Sequence, residues 1–156
     1  MAVDLDMFRQ DVEALTREMG ARAFGVADLQ ALQKQAPGLL GLVGDDYSRA
    51  IVFGMRLQQA ALQGVVDRPT PLYFHNYRQV NYQLDGTACL VADRIQEAGY
   101  RALAVPASQI IRKEPMTGHI SHKLLGWAAG IGFIGRNTLL VHPLYGAQVR
   151  YVSVLT

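Results

Sequence analysis

Apolar side chains fall on Phe8, Val12, Leu15 and Met19, at spacings of four, three and four residues. That period traces one face of an amphipathic helix, with Asp4 or Asp6 as its cap and Gly20 as its stop. The pattern then changes. Residues 21–29 (ARAFGVADL) predict a short strand weakened by Gly25, and 50–57 (AIVFGMRL) form a compact apolar run suited to a buried strand. Between them, Pro37 and several glycines and aspartates predict a loop or broken helix over 35–48. Helical spacing returns with Val80, Leu84, Val91 and Ile95 and ends at Gly99; the proline-bearing stretch 67–80 is placed ahead of that helix. Residues 100–108 predict a strand, and 118–130 a short helix with Ser121 as cap and Leu124, Leu125 and Ala128 inward. The last two strand-like segments, 137–141 and 148–155, are expected to form a hairpin with a longer loop.

The order is helix, strand, strand, long helix, strand, short helix, strand, strand. Crossover helices with a terminal hairpin predict an α+β fold with a mixed sheet, in a single domain over 1–156. Totals narrow the function classes. A formal charge of +2, from 15 basic and 13 acidic residues with the arginines scattered, gives no electrostatic reason to expect nucleic acid or an anionic membrane. The apolar runs are shorter than a membrane span, and Asp4 and Asp6 stand where a signal peptide would be basic, so a cytoplasmic protein is expected. Cys89 is the only cysteine, which leaves no set of thiolates for a [4Fe–4S] cluster or a multi-cysteine zinc site.

Residues 127–143 (WAAGIGFIGRNTLLVHP) contain Gly130, Gly132 and Gly135 in G-x-G-x-x-G spacing. A dinucleotide site needs that string to leave a strand and open a helix, with an acidic residue about 20 positions on. Here a helix leads in, a strand leads out, and Arg150 and Tyr151 occupy the later position. The glycines instead suggest a tight turn with Gly130 as helix C-cap, or a backbone that lets a flat ligand lie close.

Residues 118–156 resemble the end of the catalytic domain of the epoxyqueuosine reductase family. Its pattern of an AGLGWIGKN-type loop, a Leu-Leu strand, a P-x-x-G turn and a strand closing in Leu-Thr is met at 129–137, Leu139-Leu140, Pro143 to Gly146, and Leu155-Thr156. Residues 77–108 resemble the family's long helix and following strand. The resemblance implies a nitroreductase-like α+β domain, a mixed sheet flanked by helices, that binds cobalamin. Family members use cobalamin and two [4Fe–4S] clusters to remove an oxygen from epoxyqueuosine in tRNA. Cofactor contacts carried over are Gly130, Gly132, Phe133, Gly135, Arg136 and Asn137, with Ser121, His122 and Lys123 from the preceding helix. Two departures stand out. The family's eight cluster-binding cysteines follow the Leu-Thr strand, where this chain ends, and its proton-donating aspartate falls on Met116, with Glu114 off register. A glutamate-arginine pair of the family is His122-Lys123 here. The resemblance therefore implies a divergent or shortened member served by a separate iron–sulfur or other electron donor, with tRNA a partner only if the family activity is retained. Alternatives are an FMN-binding nitroreductase-like oxidoreductase and a non-catalytic corrinoid-binding scaffold.

His119 and His122 are the candidate acids, since an imidazole titrates near ~6.5. Their spacing, with His142, could also suit a metal, but no acidic ligand lies near in sequence. Tyr73, Phe74, His75 and Tyr77 either pack a helix entrance, the simpler reading, or wall a flat ligand and offer a phenol. Cys89, beside Ala88 and Leu90, is expected to be a buried, inert thiol.

Overall fold

The computed structural model describes residues 4–38, 46–108, 112–113 and 116–156. Helix α1 (Leu5–Glu18) begins at Asp4, whose carboxylate accepts the Asp6 and Met7 amides at 3.1 Å. Strand β1 (Ala23–Asp28) gives way to α2 (Leu29–Gln35) because Asp28 accepts the Ala31 amide at 3.0 Å and so caps a helix. After β2 (Arg49–Arg56) and the short α3 (Gln59–Gln63) comes α4 (Pro71–Glu97). This helix starts well before Val80. Thr70 Oγ1 accepts the Tyr73 amide at 3.1 Å, and Pro71 supplies a helical φ where no donor is needed. Tyr73, Phe74, His75 and Tyr77 thus lie on its first turns rather than ahead of it. The chain continues through β3 (Leu103–Val105), β4 (Arg112–Lys113), β5 (Met116–Thr117), α5 (His122–Ala128), β6 (Phe133–Ile134), β7 (Leu140–Val141) and β8 (Val149–Leu155).

The main sheet has the order β1-β2-β8-β3, and every pairing among the described residues is antiparallel, where a mixed sheet is expected from the sequence. The long helix does carry the chain from β2 to a strand of the same direction, β3. The final strand β8 then inserts between them, antiparallel to both. The expected terminal hairpin is also absent. β7 pairs with β6, and β8 goes to the sheet centre. A strand that can fill the centre buries both faces, and β8 keeps Val149, Tyr151, Val152, Ser153, Val154 and Leu155 buried.

Helices cover both faces. Ile51, Phe53, Val152 and Val154 pack against Val12 of α1 and Leu84, Ala88, Val91 and Ile95 of α4. Ala50, Val52, Val149, Tyr151 and Leu155 pack against Leu29 and Leu32 of α2, Leu125 of α5, and Ile131 and Leu140 of the β6–β7 unit. Period-two alternation sends neighbouring residues of β2 and β8 into different layers, which is why both strands read as nearly continuous apolar runs. Among the described residues no helix is long and apolar enough to cross a membrane.

Candidate functional site

The glycine segment is a helix stop followed by a small hairpin. Gly130 has φ +74°, and the Gly130 and Ile131 amides donate to the Trp127 and Gly126 carbonyls at 3.0 Å each. These two bonds close α5 in a Schellman motif, so Gly130 fills the C-terminal stop expected of it. Phe133 faces Val141 and Ile134 faces Leu140 across β6–β7, and the Gly135 amide donates to Leu139 O at 2.9 Å. A Cβ at Gly132 would collide with the Val141 carbonyl, and one at Gly135 would lie 3.0 Å from both Asn137 Oδ1 and Val141 Cγ2. Both glycines therefore serve approaches within the hairpin, and neither leaves a hollow for a ligand.

The side chains of the hairpin sort by face. Leu140 is buried and Ile134 packs on the core, so Phe133 and Val141, one position out of phase, point outward. Phe133 is 58% exposed and Leu139 46%. Arg136, Asn137 and Thr138 form the exposed tip. Asn137 Oδ1 accepts the Leu139 amide at 3.2 Å, leaving its NH₂ free to donate outward. Thr138 has φ +62°, a left-handed conformation unusual for a β-branched residue and costing about 1–3 kcal/mol.

The start of α5 is fixed by the hydrogen bonds of its first residues. Ser121 occupies the cap position, but its hydroxyl makes no capping bond; its carbonyl receives the Leu124 and Leu125 amides at 3.1 Å. His122 is held at both ring nitrogens, with Nδ1 2.9 Å from Ser153 Oγ and Nε2 2.7 Å from the Pro106 carbonyl. A carbonyl only accepts, so Nε2 carries the proton and Nδ1 accepts from the Ser153 hydroxyl. Burial of the ring is the main cause holding the imidazole below its usual value. Arg150 pushes the same way, while the Pro106 carbonyl and Asp85 oppose. His122 therefore ties α5 to β8 and to the end of β3, and neither nitrogen is free to serve as the expected acid. His142 is engaged too, its Nδ1 accepting the Leu144 amide at 3.1 Å and its ring stacked on Tyr145. Among the described residues no three metal-ligating side chains gather.

Two adjoining clefts open beside His122. One of about 390 Å³ is lined by Ser121, His122, Lys123, Leu139, Arg150 and Tyr151 among others. The second, of about 460 Å³, is lined by Ser108, His119, His122, Lys123 and Arg150. The structure thus brings together His119, Ser121, His122 and Lys123. Phe133, Arg136 and Asn137 line neither cleft; Leu139 and Leu140 connect the hairpin to the first. A larger hollow of about 620 Å³ lies between α1 and β1–β2 and contains none of the expected site residues.

Arg150, Tyr77 and Tyr151 were not singled out as a group by sequence. Arg150 Nε donates to Asn81 Oδ1 at 3.2 Å and Nη2 to Tyr77 Oη at 3.0 Å, with the guanidinium 4.4 Å from the centre of the Tyr77 ring. Tyr77 Oη also lies 3.2 Å from Ser108 Oγ. Burial, the largest single influence, pushes the Tyr77 phenol up, but Ser108, the Arg150 charge and Asn81 together hold it below its ordinary value. One signal was available: Tyr77 and Asn81 are four apart on one helix face, and Arg150 interrupts an otherwise apolar strand. Glu114 lies outside the described residues, and Cys89 is exposed rather than buried.

Solved structures of epoxyqueuosine reductase share this fold. The chain superposes on a selenomethionine-labelled epoxyqueuosine reductase with TM-score 0.60 at 15% identity, covering 97% of this chain and 46% of that one. An epoxyqueuosine reductase solved with an epoxyqueuosine-modified tRNA-Tyr stem loop gives 0.59 at 14%, again over 97% and 46%. The Bacillus subtilis enzyme gives 0.58 at 13%, over 97% and 45%. The chain spans slightly less than half the length of these enzymes, and the likeness is one of fold. No protein-family model matches the chain, and no curated protein matches it.

Proposed function

We propose that this chain is a corrinoid-binding redox domain, equivalent to the half of epoxyqueuosine reductase on which it superposes. The observation that carries the reading is that likeness over 97% of the chain, together with the loop elements at 129–146 in matching order. The residues present fit such a group in part. Outward Phe133 and Leu139 offer an apolar surface to a flat ring, while Arg136 and the free Asn137 NH₂ suit the amides that rim a corrin. Gly132 and Gly135 add no cradle, because the space of their missing side chains is filled within the hairpin, and Gly130 is a glycine for its positive φ at the helix stop. Bound there, a corrinoid would supply the electron-transfer chemistry. The chain's part is to hold it, with the strained tip at Thr138 fixing where Arg136 and Asn137 project.

The reading stops at cofactor binding. With Met116 at the position of the expected acid, both nitrogens of His122 occupied and one cysteine among these 156 residues, the residues favour a domain that holds the cofactor while electrons come from outside it. A tRNA substrate would follow only if the whole activity were retained. The reading is tested by titrating the protein and Phe133→Ala with hydroxocobalamin and with FMN. Saturable hydroxocobalamin binding, weakened about tenfold by the loss of one aromatic contact, is expected. Saturable FMN binding with none of hydroxocobalamin would replace this reading with a flavin one.

A further inference from the structure

The two edges of the main sheet differ in what closes them. β3 is three residues long and runs straight into Pro106, a short edge that offers little to another strand. β1 is six residues long, contains neither proline nor lysine, and among the described residues pairs with β2 alone. Its neighbours fix which way its backbone groups point. The Leu29 amide donates to the Ser48 carbonyl at 3.0 Å, so Ala27, Gly25 and Ala23, at successive steps of two, also turn their N–H and C=O groups toward β2. Phe24 and Val26 turn theirs to the free side, where none of the described residues is hydrogen-bonded to them.

The hollow of about 620 Å³ runs along this free side. Phe24 and Val26 line it with Leu5 and Phe8 of α1 on one face of the sheet, and it reaches Ala129, which follows α5 on the other face. A Cβ at Gly25 would lie 2.7 Å from the Ala129 carbonyl oxygen, so the hollow passes round the edge at the middle of β1. Phe24 and Val26 are only partly buried, and Leu5 is 66% exposed. The two ends of the strand carry opposite, exposed charges, Arg22 just before it and Asp28 as its last residue. Arg22 has no ion pair among the described residues. Asp28 Oδ1 accepts the Ala31 amide and Oδ2 lies 3.2 Å from Arg49, which leaves the carboxylate room for a further donor.

We propose that this edge is a homodimer interface, on which a second copy of the chain lays its own β1 antiparallel about a two-fold axis through Gly25. The strand is complementary to itself in that register. Phe24 falls opposite the partner's Val26, and because both turn their backbone groups outward, each such pair exchanges two hydrogen bonds. The same pairs set an aromatic ring against a β-branched side chain on the α1 face. Arg22 falls opposite the partner's Asp28, and symmetry repeats the charge pair at the other end. A slip of two residues would place Arg22 against an apolar valine or Asp28 against a phenylalanine, so the charges specify the register. The axis stands perpendicular to the sheet, which keeps both copies of α1 on one face and closes the apolar hollow from both sides.

The interface uses no residue of the β6–β7 hairpin or of the clefts beside His122, so it stands apart from the corrinoid reading. Sedimentation velocity of the chain over a concentration series should show a monomer–dimer equilibrium. Val26→Pro should abolish the dimer and keep the circular dichroism of the monomer, because the Val26 amide makes no bond within the subunit. Arg22→Glu, which sets like charges together at both ends of the joint, should weaken the dimer about tenfold at low salt. Amide exchange of the unaltered protein gives a readout that needs no variant. The Phe24 and Val26 amides should exchange more slowly as concentration rises, while Gly25, bonded to β2, is slow throughout. If Val26→Pro fails to fold, Arg22→Glu and amide exchange decide. A chain that stays monomeric at near-millimolar concentration, a dimer that either folded variant leaves at full strength, or Phe24 and Val26 amides already protected in the monomer would overturn the proposal.

Discussion

His122 shows how a side chain's type and its role can separate. Its position near a helix start and beside Lys123 suggests an acid, but its two hydrogen bonds make it a tie between α5, β8 and the end of β3. A depressed pKa in the folded state means that the unfolded chain binds the proton more readily. His122 therefore contributes stability that is complete above ~6.5 and falls away as pH drops below it, toward the lower folded value. Chemical denaturation at pH 7 and pH 5 should show a larger loss on acidification for the native protein than for His122→Gln; equal losses would contradict the neutral, doubly bonded ring. Cys89 is a plainer case. Leu84, Ala88, Val91 and Ile95 define the buried stripe of α4, and Cys89, one position past Ala88, is turned about 100° away from it. Its exposure was legible from the periodicity, and the apolar neighbours obscured it.

At the scale of elements, the helices were the most readable. The caps at Asp4 and Asp28 and the Thr70-Pro71 start follow from local chemistry, although the last was obscured by the aromatic cluster that follows it. Strand pairing was less readable because it depends on distant partners. Nothing within 137–155 records that Val141 returns to Phe133 while Val149–Leu155 inserts between β2 and β3. The glycines carried more of that information than their motif did. Gly132 is glycine because the Val141 carbonyl occupies the space of its Cβ, which only the β6–β7 pairing makes apparent. Gly132→Ala is accordingly expected to destabilise the fold by about 1–3 kcal/mol, measured from the midpoint of urea unfolding. A change below about 0.5 kcal/mol would mean that the hairpin does not pack this closely.

For the whole molecule, a four-stranded antiparallel sheet with helices on both faces matches the fold of nearly half of epoxyqueuosine reductase at 13–15% identity. The α+β class and the loop order were visible in sequence, whereas the contact of Arg150 with Tyr77 and Asn81 emerged only when β8 reached the sheet centre. The central claim is that this scaffold holds a corrinoid, and one measurement addresses it directly. The protein is mixed with a small excess of hydroxocobalamin, passed through a desalting column, and its visible absorption spectrum recorded. Corrinoid bands co-eluting at about one equivalent per chain are predicted; a protein fraction that emerges colourless, with all the hydroxocobalamin in the late volume, would contradict the account.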